Sequence, residues 1–132
     1  MDGKDLARLL LAKAAQDQLV VEKLLLDGDV ADEVIGFHAQ QAAEKLLKAI
    51  LAARGVRVRR THDLAELLDL CTDAGAALPD WLEACRELTP FAVQFRYELP
   101  VPGSASLDRS AALSLLRRLR AWCQAQLTTE AT

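Results

Sequence analysis

Histidine and cysteine are both scarce in this chain, and their spacing excludes several chemistries. There are two histidines, His38 and His62, and three cysteines, Cys71, Cys85 and Cys123. No cysteine pair has C-x-x-C spacing and no His/Cys cluster has the spacing of a zinc site, so no metal is expected. An odd set of thiols cannot all pair within one chain, and reduced cysteines in a cytoplasmic protein are the simplest expectation. Neither glycine-rich phosphate loop, G-x-x-x-x-G-K-[ST] or G-x-G-x-x-G, occurs, and H-E-x-x-H is missing too; no cofactor is expected. Nothing reads as a serine or cysteine nucleophile beside its base. No apolar run approaches the ~20 residues that cross a bilayer. The charged start Met1-Asp2-Gly3-Lys4-Asp5 does not look like a signal peptide.

Aromatics make up 5% of a chain that is 52% apolar, so the core must come largely from leucine and alanine, both strong helix formers. The 132 residues suit one domain, 1–132, with its core over about 4–127. A net charge of −3 argues against a surface that binds polyanions everywhere. The local balance is different: the first 33 residues lean acidic, whereas Lys45 to His62 is strongly basic.

Helical periodicity runs through the chain. A first helix is expected from about Asp2 to Leu26, with Gly28 as its C-terminal cap. A second should run from about Val30 to Ala53, capped by Asp29, with Ile35, Ala42, Leu46, Ala49 and Ile50 on one stripe and Gly55 as its stop. Thr61 reads as the N-cap of a third helix reaching about Thr72, closed by Asp73-Ala74-Gly75. A fourth opens at Leu78-Pro79-Asp80, carries Trp81, Leu82, Cys85 and Leu88, and is broken or restarted at Pro90. After Pro100-Val101-Pro102-Gly103-Ser104, Ser106 and Asp108 can cap a last helix ending near Leu127. The expectation is an all-α, antiparallel up-and-down bundle of about five helices.

Four groups of residues could carry function. Arg54, Arg57, Arg59 and Arg60 form a basic connector, and each guanidinium fork suits phosphate. If a helix starts at Thr61, its free backbone N–H groups add a second anion-binding element; the plain alternative is a solvated loop partly neutralised by Asp63, Glu66 or Asp69. On the second helix, His38, Gln41, Lys45 and Lys48 share one face. Lys48 is an ordinary partner for Glu44, while His38 and Gln41 border the apolar stripe and could be hydrogen-bonded between helices. His62 suits either local hydrogen bonding or proton transfer. Phe95-Arg96-Tyr97-Glu98 offers an arginine that either packs on a ring and reaches a ligand or forms an interhelical ion pair.

The stretch Phe37-His38-Ala39-Gln40-Gln41-Ala42-Ala43-Glu44-Lys45-Leu46-Leu47-Lys48-Ala49 resembles the second-helix signature of HEPN domains. Arg60-Thr61-His62-Asp63-Leu64 follows at the expected distance and resembles the family's T-H-D-L turn. Arg96-Tyr97-Glu98 is similar to its R-Y-P segment. The resemblance implies a helical bundle, usually a homodimer, whose relatives often work beside a minimal nucleotidyltransferase in toxin–antitoxin modules. Some relatives are metal-independent endoribonucleases, and others bind nucleotides or act as scaffolds. The nuclease branch uses an arginine and a histidine with four to six residues between them, near the end of the bundle. Arg96 falls at the arginine position, but the histidine positions hold Val101, Pro102 and Gly103, and no histidine follows. Arg57 and His62 match the spacing but lie in the connector, the wrong place. Arg96 and His62 therefore remain weak catalytic candidates. The expected nucleotide or RNA contacts are Lys45, Arg57, Arg59, Arg60, Thr61, His62, Arg96 and Tyr97, and His38, Gln41 and Glu44 form the signature polar face.

Overall fold

The structure is a computed structural model and describes residues 2–57, 60–92 and 106–130. It contains helices α1 (Gly3–Lys23), α2 (Asp32–Ala53) and α3 (Leu64–Asp73), a 3-10 helix (Asp80–Leu88), and α4 (Arg109–Glu130). No strand occurs among the described residues, so the all-α expectation holds. Arg59, Phe95, Arg96, Tyr97, Glu98 and Val101 to Gly103 lie outside the described residues.

α2 is the axis of the bundle. It packs against α1, α3, the 3-10 helix and α4. None of its residues is fully exposed, and Ile35, Leu46, Leu47, Ile50 and Leu51 are completely buried. The alanines between them allow close approach. Gly3 at the start of α1 lies so near α2 that a Cβ there would stand 2.2 Å from the Ala52 carbonyl oxygen. Gly36 receives the Phe91 ring, and a Cβ at that position would come within 2.3 Å of Phe91 Cδ1.

Several helix ends differ from expectation. α1 stops at Leu24, and the left-handed glycines are Gly55 (φ 76°) and Gly75 (φ 93°), not Gly28. Gly55 and Gly75 thus end α2 and α3 as expected. α2 is preceded by Ala31, with no side-chain cap, while the Asp29 amide bonds the Asp27 carboxylate inside the turn at 2.9 Å. α3 is capped by Asp63, whose Oδ1 accepts from the Ala65 amide at 2.9 Å, and not by Thr61. Asp108 caps α4 as expected, accepting from the Ala111 amide at 3.0 Å.

The fourth segment is a nine-residue 3-10 helix in place of an α-helix. Its buried side chains, Leu82, Cys85 and Leu88, recur every third residue. That is the period of a 3-10 helix, in which residues i and i+3 eclipse. Pro90 follows and cannot donate to a carbonyl four residues back. Three of the large aromatic side chains are covered within the chain. Phe91 is buried, Trp122 packs half-buried against the core, and Trp81 is covered by the Arg118 guanidinium at 4.4 Å from the ring centre.

Arg109 closes the α1–α2 turn. Its Nε donates to Asp32 Oδ1 at 2.8 Å, and its Nη1 donates to the carbonyls of Leu24 (3.1 Å) and Asp27 (2.8 Å). A helix C-terminus leaves carbonyls without intrahelical donors, and a guanidinium fork is well shaped to satisfy several of them.

Candidate functional site

The signature residues of α2 form two clusters, each built on one carboxylate. In the first, Asp17 on α1 accepts from His38 Nδ1 at 3.0 Å and is ion-paired with Lys45. In the second, Glu44 accepts from His62 Nδ1 at 2.7 Å, from Lys48 Nζ at 3.0 Å and from Gln40 Nε2 at 3.1 Å. Gln40 also donates to the His62 carbonyl at 3.0 Å and accepts from Gln41 Nε2 at 2.7 Å. His62 is therefore clamped at its ring and at its backbone, and the turn leading into α3 is fixed against α2.

The electrostatics of the second cluster follow from its burial. The Glu44 side chain is 6% exposed and that of His62 is 44% exposed. Burial pushes the Glu44 carboxyl up, but the hydrogen bonds from His62, Gln40 and Lys48, with the Lys48 charge, outweigh it and hold the group below its ordinary value. An ionised Glu44 accepts only, so His62 Nδ1 carries the hydrogen in this bond.

The basic connector divides into inward and outward parts. Arg54 turns inward, donating to the Ala74 carbonyl at 3.0 Å and to Gln126 Oε1 at 3.4 Å. Arg57 and Arg60 are exposed. Lys45 faces α1 and lies roughly 15 Å along the helix from Gly55, given 1.5 Å per residue. It shares no cluster with the arginines.

The expected anion cradle at the start of α3 is already filled. The Asp63 amide donates to Thr61 Oγ1 at 3.1 Å, the Leu64 amide to Thr89 Oγ1 at 3.2 Å, and the Ala65 amide to Asp63 Oδ1 at 2.9 Å. The Thr61 hydroxyl in turn donates to Glu66 Oε2 at 2.9 Å. The expectation of unpaired donors from Thr61 to Leu64 is thus corrected at Asp63 and Leu64, where hydroxyl oxygens already fill the place of a phosphate.

The cysteines are all buried, and burial pushes the thiols of Cys71 and Cys85 up to about 12 and that of Cys123 up as well. Such thiols are poor nucleophiles near neutrality. Among the described residues no group of three His, Cys, Asp or Glu side chains could hold a metal ion. No helix there is long and apolar enough to cross a membrane.

Residues 7–126 match the HEPN domain family. The chain belongs to that family. No curated protein and no solved structure matches it. The signature of this HEPN domain is thus a set of internal ties. Asp17 and Gln40 were not singled out from sequence, although they complete both clusters. Nothing in the local sequence marks Asp17, because its partners lie 21 and 28 positions away. Gln40 carried a usable signal: it lies one turn before Glu44 and is flanked by the buried Ala39 and Ala43.

Proposed function

We propose that this HEPN domain is a binding module that holds polyanionic ligands, nucleotide or RNA, through its basic connector. It works beside a minimal nucleotidyltransferase, as a homodimer, in a cytoplasmic toxin–antitoxin-like system. The observation that carries the ligand part is the division of polar residues. Lys45, Lys48, His38 and His62 are each tied to Asp17 or Glu44, whereas Arg57 and Arg60 face solvent. Cations whose charge is already matched add little to an anion site, so the outward arginines are the ones that count. The nucleotidyltransferase and the dimer rest on the family alone. Endoribonuclease activity is the weaker reading, because both histidines precede Arg96 and both are hydrogen-bonded to carboxylates.

The test is fluorescence anisotropy with a labelled single-stranded oligonucleotide at low salt. Replacing Arg57, Arg59 and Arg60 together by alanine should weaken binding by about tenfold or more, since each lost phosphate contact removes a counterion-release contribution. The far-UV circular dichroism should not change. Equal binding by the wild type and the triple variant would overturn the proposal.

A further inference from the structure

We infer that two copies of this chain pair through the outward face of α1, antiparallel, about a two-fold axis near Ala14; this rests on the homodimer reading above and names its surface. α1 buries Ala7, Ala14, Gln18 and Val21 against the bundle. On the opposite side Asp5, Leu9, Ala12, Gln16, Leu19 and Lys23 follow one another by alternate steps of four and three, and all six are exposed. That is the a/d spacing of a coiled-coil seam. Among the described residues the exposed large apolar side chains are Leu9, Leu19 and Leu26, and the first two, each 41% exposed, stand on this seam. A single exposed leucine needs no explanation. Two of them at heptad positions, on a helix whose other side is already buried, make a face that lacks its partner.

The order of residues along the seam says what that partner is. The seam is complementary to its own reverse: Asp5 and Lys23 lie nine positions to either side of Ala14, Leu9 and Leu19 five, and Ala12 and Gln16 two. An antiparallel second copy therefore sets Asp5 against Lys23 of the partner subunit, Leu9 against the partner's Leu19 and Ala12 against the partner's Gln16. The two-fold axis repeats each contact in reverse, so leucine meets leucine twice and opposite charges close both ends. A parallel copy would set Asp5 against Asp5 and Lys23 against Lys23. Within one chain Asp5 is ion-paired with Arg8 at 3.3 Å, but both side chains are more than half exposed, and such a pair holds Asp5 only weakly. The exposed Lys13 flanks the seam close to the axis and meets its own copy there, a like-charge contact that limits affinity. The seam spans roughly 27 Å, given 1.5 Å per residue. One seam of that length is small for a specific interface, so a dissociation constant in the micromolar range is expected.

The experiment has two arms. In the first, static light scattering over a micromolar concentration series should show the wild type passing from monomer to dimer. Leu9→Arg/Leu19→Arg should raise the dissociation constant by about tenfold or more, since it removes the apolar contact and sets like charges against each other. Both positions are exposed and arginine is a good helix former, so the variant should keep the wild-type circular dichroism. The second arm reads the orientation with both leucines in place. Chains carrying Asp5→Cys and chains carrying Lys23→Cys, mixed and treated with oxidised glutathione, should give a disulfide-linked dimer; the native thiols are buried. Neither variant alone should link, because in the antiparallel pair its two cysteines stand roughly 27 Å apart. Linking within either variant alone, or none in the mixture, would overturn the antiparallel seam. A dimer that the double arginine variant does not weaken would overturn this surface while leaving the homodimer reading in place. A wild type that stays monomeric throughout would remove both together.

Discussion

His62 Nδ1 lies 2.7 Å from Glu44 Oε1, so a carboxylate buried in the side of α2 holds the residue that leads into α3. The contact spans 18 positions of sequence and fixes one end of the arginine-bearing connector.

That contact makes stability depend on acid. Glu44 is held below its ordinary value of 4.5 in the folded chain. A carboxyl lowered on folding contributes stability that is fully present above the unfolded value and is lost as pH falls through the folded one. Urea denaturation should therefore show a loss of stability below about pH 4.5 that is smaller in Glu44→Gln. At neutral pH the same variant should be less stable by about 1–3 kcal/mol, because His62 and Lys48 lose their charged acceptor. An unchanged acid profile in Glu44→Gln would remove Glu44 as a source of the pH dependence.

Arg109 should be a large single contributor to stability. Arg109→Ala leaves Asp32 without its cation and the α1–α2 turn carbonyls without a donor. The expected cost is about 2–4 kcal/mol by chemical denaturation. Arg109→Lys should recover only part of it, since a point charge cannot reproduce a planar fork.

The Gly36–Phe91 contact predicts a coupled pair. Gly36→Ala should destabilise the chain by about 1–3 kcal/mol through overpacking. Introducing Phe91→Leu into that variant should cost less than introducing it into the wild type, because the smaller side chain makes room for the new methyl. A double-mutant cycle measures the difference, and strict additivity would show that the ring is not what the methyl meets.

Thiol chemistry provides an independent check on the core. Cys71, Cys85 and Cys123 are buried, and two of them donate to α2 carbonyls: Cys71 Sγ to Leu47 at 3.7 Å and Cys123 Sγ to Leu46 at 3.5 Å. A thiol reagent at neutral pH should react with the native chain only as fast as it opens, and with all three thiols at once in denaturant. Fast reaction of any one of them in the native chain would contradict its burial.

The helical fold was legible because α2 and α4 each sustain their period over 22 residues and Gly55, Gly75 and Asp108 are strong end signals. The cap of α3 was not, because Thr61 and Asp63 are both competent caps two positions apart, and choosing between them depends on where Thr89 and Glu66 come to lie. The 3-10 helix escaped notice for a related reason: apolar residues at 82, 85 and 88 fit a period of 3.0 or 3.6 over so short a run. In the candidate site, the exposed arginines and the shared face of His38, Gln41 and Lys45 could be read from spacing. Their pairing could not. Asp17, His62 and Arg109 act across the bundle, and helical periodicity places a residue on a face without naming what that face will meet.

Because every residue of α2 is at least half covered, the stretch by which this domain is most easily recognised is largely out of reach of a docking molecule. Two chains could agree through all of that helix and still offer a visitor entirely different surfaces. Kinship inferred from it is kinship of scaffold; what distinguishes one such scaffold from another must be sought on the few residues, Arg57 and Arg60 among them, that the scaffold holds out to solvent.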